Sequence, residues 1–207
     1  MNTLWDWIKK SYLRLVDPVA DWLVRWRVHP NTITIFGTLC TVAGGVIYGT
    51  GHIRTAGWFL GLTALFDVLD GTVARRSNRS STFGAFLDST LDRFSEVAMF
   101  IGLAAFYAET RTATVLIAAG LGGSLLVSYT RARGESVGVV CKAGVMQRAE
   151  RMLALGFGSI FDPTLSEQWG RPPGSILIYI IWIVALASIG TAIYRTVWIS
   201  RELRRTR

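Results

Sequence analysis

Four aspartates stand close together in the stretch DVLDGTVARRSNRSSTFGAFLDSTLD: Asp67, Asp70, Asp88 and Asp92. Small residues accompany them, with Gly71 and Ala74 after the first pair and Gly84 before the second. At spacings of three and four, each carboxylate pair shares one helix face with its small neighbours. Four like charges gathered this way repel one another, and each is costly to take out of water. Divalent cations relieve both penalties. Carboxylate oxygens suit Mg2+ or Mn2+, and the stretch contains no Cys or His to select zinc. Two such ions about 3.5–4 Å apart can hold both sides of a phosphoryl displacement. Gly71, Ala74 and Gly84 leave room for a phosphate-bearing ligand near the backbone, and Arg75 can contact its phosphates. One carboxylate not fully engaged by metal can act as general base. Helix capping, or pairing with Arg75, Arg76 and Arg93, accounts more readily for one aspartate than for four.

The elements that must position these groups are two antiparallel helices joined by the short polar loop SNRSSTF. At about 1.5 Å per residue, Asp70 lies about 7–8 Å from Arg75 and Asp67 about 12 Å. By the same rise, Asp88 and Asp92 lie about 6 Å and about 12 Å from Gly84. Asp70 therefore stands level with Asp88, and Asp67 with Asp92, as two facing layers near one surface.

Both helices belong to an apolar chain. Of 207 residues, 51% are hydrophobic and 17% charged, against about 25% charged in soluble domains. Mean hydropathy is +0.37. A spanning helix needs about 20 apolar residues, and candidate spans fall at 32–50, 55–75, 84–108, 112–133, 145–162 and 174–198. The expected fold is an all-α, polytopic membrane protein of six transmembrane helices. Residues 1–30 form an amphipathic juxtamembrane segment ahead of it. There Trp5, Trp7, Trp22 and Trp26 interleave with Lys9, Lys10, Arg14 and Arg25, a pattern suited to the membrane interface. No cleavable signal pattern is read at the start. Residues 31–200 make the membrane domain and 201–207 a basic tail, with Pro163 and Pro172–Pro173 bracketing an outer loop. Cys40 and Cys141 are assigned no disulfide.

Basic residues divide unevenly between the two sides. Loops near 51–55, 109–112 and 163–173 hold only Arg54, Arg111 and Arg171. Nearly all the rest gather in the N-terminal segment, around 75–83 and 131–151, and from Arg195 onward. The positive-inside rule then places both termini and the aspartate site on the cytoplasmic side of a cell membrane. The formal net charge of +8 suits an anionic leaflet or an anionic substrate. No basic-aromatic pattern for nucleic acid competes. A cation transporter would carry its charges near the midplane, often with inverted repeats. Here they lie near one surface beside arginines, and no repeat is visible.

The spacing D-x2-D-G-x2-A-R-x8-G-x3-D-x3-D resembles the signature of the CDP-alcohol phosphotransferase family. The likeness runs from PNTIT to the fifth span. It implies transfer of a phosphatidyl group from CDP-diacylglycerol to a polar alcohol, with release of CMP, by a homodimer in membrane lipid. By that resemblance Asp67, Asp70, Asp88 and Asp92 hold two metal ions, and Asp92 deprotonates the incoming hydroxyl. Gly71, Arg75 and Ser81 contact the nucleotide diphosphate, with Asn31 and Thr32 nearby.

The stretch SYTRAR is similar to the S-Y-x-K-A-R-A-E element of the family's bacterial phosphatidylinositol phosphate synthases, and QRAER to their E-R-P-E-R element. Carried over, Ser128, Arg131, Arg133 and Arg148 grip the phosphate of inositol 1-phosphate. Arg131 stands where that pattern has Lys, and Gln147 and Ala149 where it has Glu and Pro. Arginines beside the carboxylates favour an anionic acceptor over serine or glycerol. Glycerol 3-phosphate, the acceptor of phosphatidylglycerophosphate synthases, meets that condition too, and an archaetidyl ether-lipid donor fits the same residues.

Overall fold

The computed structural model describes residues 16–141 and 143–205. Most of the N-terminal amphipathic segment, including Trp5, Trp7, Lys9, Lys10 and Arg14, lies outside the described residues. The part within them is helical over residues 16–25, here α1. Six longer helices follow: α2 (Pro30–Gly49), α3 (Ile53–Arg76), α4 (Thr82–Phe106), α5 (Arg111–Ser136), α6 (Arg148–Gln168) and α7 (Leu177–Arg205). Among the described residues there is no strand.

Local chemistry sets the boundaries. Pro30 opens α2, and the ring of His29 caps it by accepting from the Asn31 amide at 3.3 Å. Proline suits a first turn because its missing N–H would have no helical partner there. Ser81 caps α4, its hydroxyl accepting from Gly84 N at 3.0 Å. The turn between α3 and α4 passes through Asn78 at φ +53, a left-handed conformation that asparagine tolerates better than most residues.

Helices α2, α3, α5 and α7 are long and apolar enough to cross a membrane. α4 and α6 match them in length but are not among these four; α4 carries Asp92, Arg93 and Glu96, and α6 carries Arg148, Arg151 and Asp162. Outward surfaces are apolar: Phe36, Val46, Trp58, Val115 and Ile183 are all exposed. Many polar groups lie inside. Thr41 and Thr63 share a hydrogen bond at 2.8 Å, and Tyr48 is bonded to Ser159. An apolar exterior around a polar interior is the distribution expected of a helix bundle solvated by lipid.

The packed helix pairs close into a ring: α2 against α3, α3 against α6, α6 against α7, α7 against α5, α5 against α4, and α4 against α2. The two aspartate helices, α3 and α4, are therefore separated by α2. The α2–α4 contact is close enough that a Cβ on Gly45 would lie 2.5 Å from the Ala98 carbonyl oxygen.

Three boundaries differ from expectation. Pro163 lies inside α6, not in an outer loop. Buried Asp162 and Ser166 flank it, so packing carries the helix past the proline. Asp162 reaches over to accept from Gly174 N, Ile176 N and Leu177 N at 2.5, 2.8 and 2.7 Å, capping α7. α5 runs to Ser136, beyond the expected end at 133. The expected tail at 201–207 continues α7 through Arg205.

Candidate active site

The four aspartates stand on α3 and α4, the two helices that both pack on α2. Asp70 is buried, and its Oδ2 accepts from the Thr34 hydroxyl of α2 at 2.7 Å. Asp67 and Asp92 face one another through Arg148, whose Nη1 lies 2.5 Å from Asp67 Oδ2 and 2.9 Å from Asp92 Oδ1. Arg93 Nη1 is 3.4 Å from the second oxygen of Asp92. Asp88 bears electrostatically on both Asp67 and Asp70. Asp67 and Asp92 thus share one layer through a common guanidinium. Asp70 and Asp88 share the other, lining a single cleft.

That first cleft has a volume of about 190 Å³. Pro30, Asn31 and Thr34 form its α2 wall, Asp70, Gly71, Ala74 and Arg75 its α3 wall, and Gly84, Ala85 and Asp88 its α4 wall. Arg79, Ser80 and Ser81 close it from the connecting loop. Its small residues have a visible purpose. A Cβ on Gly84 would sit 3.2 Å from Ser81 Oγ and 3.3 Å from Asn31 Oδ1, and one on Gly71 would sit 3.3 Å from Arg75 Nη1. Side chains there would crowd the polar rim. Thr32 is exposed and does not line this cleft.

A second cleft, of about 310 Å³, is lined by Asp92. Asp92 and Arg93 meet Val127, Ser128 and Arg131 of α5, residues 147–151, and Arg195 of α7 there. Arg131 Nε donates to Glu135 Oε1 at 3.0 Å. Arg133 points elsewhere, donating to Ser136 Oγ at 3.3 Å. Of the residues assigned to an acceptor phosphate, Ser128, Arg131 and Arg148 converge and Arg133 does not. Arg148 also lies against the carboxylates as well as in the arginine cluster.

Sequence reasoning did not place Arg195, Arg79, Ser80 or Glu96 here. A lone arginine inside an apolar span is itself a signal of function, and Arg195 is 2% exposed. Its Nε donates to Ala143 O and its Nη1 to Val127 O, both at 2.8 Å.

The donor set suits a hard divalent cation: four carboxylates with no competing soft ligand. As placed, no three His, Cys, Asp or Glu side chains among the described residues gather tightly enough to hold an ion. Arg148 nevertheless spans Asp67 and Asp92, so positive charge is already required between the two helices.

A ring of long helices, four of them apolar enough to cross a membrane, carries carboxylates that line two polar clefts. The family model for CDP-alcohol phosphatidyltransferase matches residues 27–199, and the chain belongs to that family. It is 38% identical over 201 residues to a phosphatidylinositol phosphate synthase of Streptomyces avermitilis, covering 92% of this chain and 80% of that one. It is 37% identical to an archaetidylinositol phosphate synthase of Methanothermobacter thermautotrophicus, covering 92% and 91%. Among solved structures it resembles the Mycobacterium tuberculosis phosphatidylinositol phosphate synthase with CDP-DAG bound, at a TM-score of 0.79 and 32% identity over 90% of this chain and 94% of that one. The same enzyme in complex with manganese and citrate also aligns at 0.79, with 31% identity over 89% and 88%.

Proposed function

We propose that this protein transfers a phosphatidyl group from CDP-diacylglycerol to inositol 1-phosphate within the membrane, releasing CMP. The observation that carries the reading is that the aspartates line two clefts of different chemistry, Asp70 and Asp88 the first and Asp92 the second. One is small-residue-lined, with Asn31, Gly71, Arg75 and Ser81 at its walls, and suits a nucleotide diphosphate. The other is arginine-rich and suits a phosphorylated alcohol. Family membership and the synthases named above support the same assignment.

In this reading Asp67, Asp70, Asp88 and Asp92 hold two Mg2+ or Mn2+ ions. A manganese-containing structure of the M. tuberculosis relative supports that choice. When bound, the metals neutralise the diphosphate and the charge that develops on CMP. The chain's own residues do the rest. Thr34 orients Asp70 at the diphosphate end. Arg131 and Arg148 hold the acceptor phosphate, and Asp92 accepts the proton of its hydroxyl. The resulting oxygen attacks the lipid-side phosphorus, and the bond to CMP breaks.

The proposed topology has six spans, with α4 and α6 crossing the membrane despite their charge because Glu96, Arg151 and Asp162 are buried within the chain. α1 lies along the cytoplasmic interface. Exposed Trp22 and Trp26, with ring centroids 5.2 Å apart, support that placement. Arg76, paired with Asp17 and Asp21, ties α1 to α3. A homodimer completes the proposal; sedimentation of the detergent-solubilised protein tests it. Gly120 and Gly123 of AAGLGGS pack within the chain, against Phe100 and Ile189, and so add nothing to it.

The functional test is an acceptor panel with protein in liposomes, CDP-diacylglycerol and Mg2+. CMP release is expected with inositol 1-phosphate and not with serine or free inositol. Preference for glycerol 3-phosphate would overturn the acceptor assignment. The archaeal relative favours a second reading of the donor, so the panel is repeated with a CDP-linked ether lipid.

A further inference from the structure

Glu96 and Arg151 form an ion pair in which both side chains are 0% exposed. Arg151 Nε donates to Glu96 Oε1 at 2.8 Å, and Nη2 lies 2.8 Å from the same oxygen. The pair sits one turn below the reactive layer: Glu96 follows Asp92 by four residues on α4, and Arg151 follows Arg148 by three on α6. Two ionic rungs therefore join α4 to α6, Asp92–Arg148 and Glu96–Arg151. These helices are not neighbours in the ring, since α4 packs on α2 and α5 while α6 packs on α3 and α7. Their relative register is set across the interior by these rungs.

We propose that Glu96 is a positioning residue that, through Arg151, holds the acceptor cleft in register with Asp92. A buried ion pair is a poor device for stability, because apolar residues of similar volume serve as well or better. It is a good device for fixing one arrangement. Arg151 also donates through Nη1 to Met146 O at 2.9 Å, and Met146 N donates to Thr191 Oγ1 at 3.3 Å. The loop that leads into Arg148 is thereby fastened to α6 and α7 together. Glu96 acts through this frame on Arg148, without reaching the substrate.

The inference rests on the acceptor reading above, and the two fail separately. Wild type is compared with Glu96→Gln and with the double variant Glu96→Met/Arg151→Met in liposomes, measuring KM for each substrate, kcat and the thermal midpoint. Loss of register is expected to raise the acceptor KM about tenfold or more in both variants, the scale seen when groups that orient a site are removed. The KM for the CDP-lipid should stay unchanged, and the double variant should keep a near-normal midpoint. If Glu96 served only to offset charge, Glu96→Gln would leave the cleft more positive and lower the acceptor KM. That result would overturn the proposal, as would parallel changes in both KM values, or failure of both variants to fold. If wild type itself released no CMP with any phosphorylated alcohol, the underlying reading would fall instead.

Discussion

Asp92 is held by cations on both oxygens, Arg148 at 2.9 Å on one and Arg93 at 3.4 Å on the other. In the proposed mechanism a carboxylate placed this way stays oriented while a substrate hydroxyl approaches from the second cleft. Replacing Asp92 by Asn keeps the shape and removes the base. CMP release should fall by about a hundredfold or more, the usual contribution of a positioned base, while binding of the CDP-lipid in the other cleft persists. Full activity in that variant would remove Asp92 from the role. Thr34 poses a subtler test. Its hydroxyl is the side-chain donor to Asp70, so Thr34→Val should weaken CDP-lipid use about fivefold, matching about 1 kcal/mol for the lost bond. Thr34→Ser should restore it. The aspartates were legible in sequence because their spacing repeats that of the small residues beside them. The bridge from Arg148 to Asp67 was not, since it spans 81 positions and depends on how α6 packs on α3. Glu96 and Arg195 stood in plain view as charges in apolar helices. No local pattern says which partner such a charge will find.

At the scale of elements, hydropathy located the long helices but not their ends or their neighbours. α7 runs to Arg205 and α5 to Ser136 because a helix leaving the membrane need not stop at its surface. The expectation of two facing carboxylate layers agrees with the bridge of Arg148 between Asp67 and Asp92 and with the cleft that Asp70 and Asp88 both line. What sequence could not supply is the wedge. α2 stands between α3 and α4, and its contact with α4 depends on glycine backbones meeting without side chains. A Cβ added to Gly102 would come within 2.6 Å of the Gly45 carbonyl carbon. Gly102→Ala should therefore force α2 and α4 apart and destabilise the fold by about 1–3 kcal/mol, as overpacking does. A lowered thermal midpoint in detergent is the measurement. The larger effect should be on activity, because a shifted α2 moves Thr34 and Asn31 with it. An unchanged midpoint together with normal turnover would show that the contact relaxes at no cost.

For the whole molecule, the governing fact is an uneven distribution of charge around a lipid-facing ring. The loop between α3 and α4 and the region from Arg131 to Arg151 carry arginines beside the site, whereas residues 107–110, between α4 and α5, carry none. A membrane with an anionic inner leaflet favours basic loops inside, and on the proposed function the soluble phosphorylated acceptor is met on that same side. Orientation and function are thus one claim. It can be tested without turnover. Cys40 and Cys141 are first replaced by Ala, and single cysteines are then placed at two exposed positions, Glu109→Cys after α4 and Ser136→Cys at the end of α5. A membrane-impermeant maleimide applied to intact cells should label position 109, and position 136 only after the membrane is opened. The reverse pattern would put the aspartate site on the outer face, away from the pool of acceptor and from the leaflet that balances its arginines.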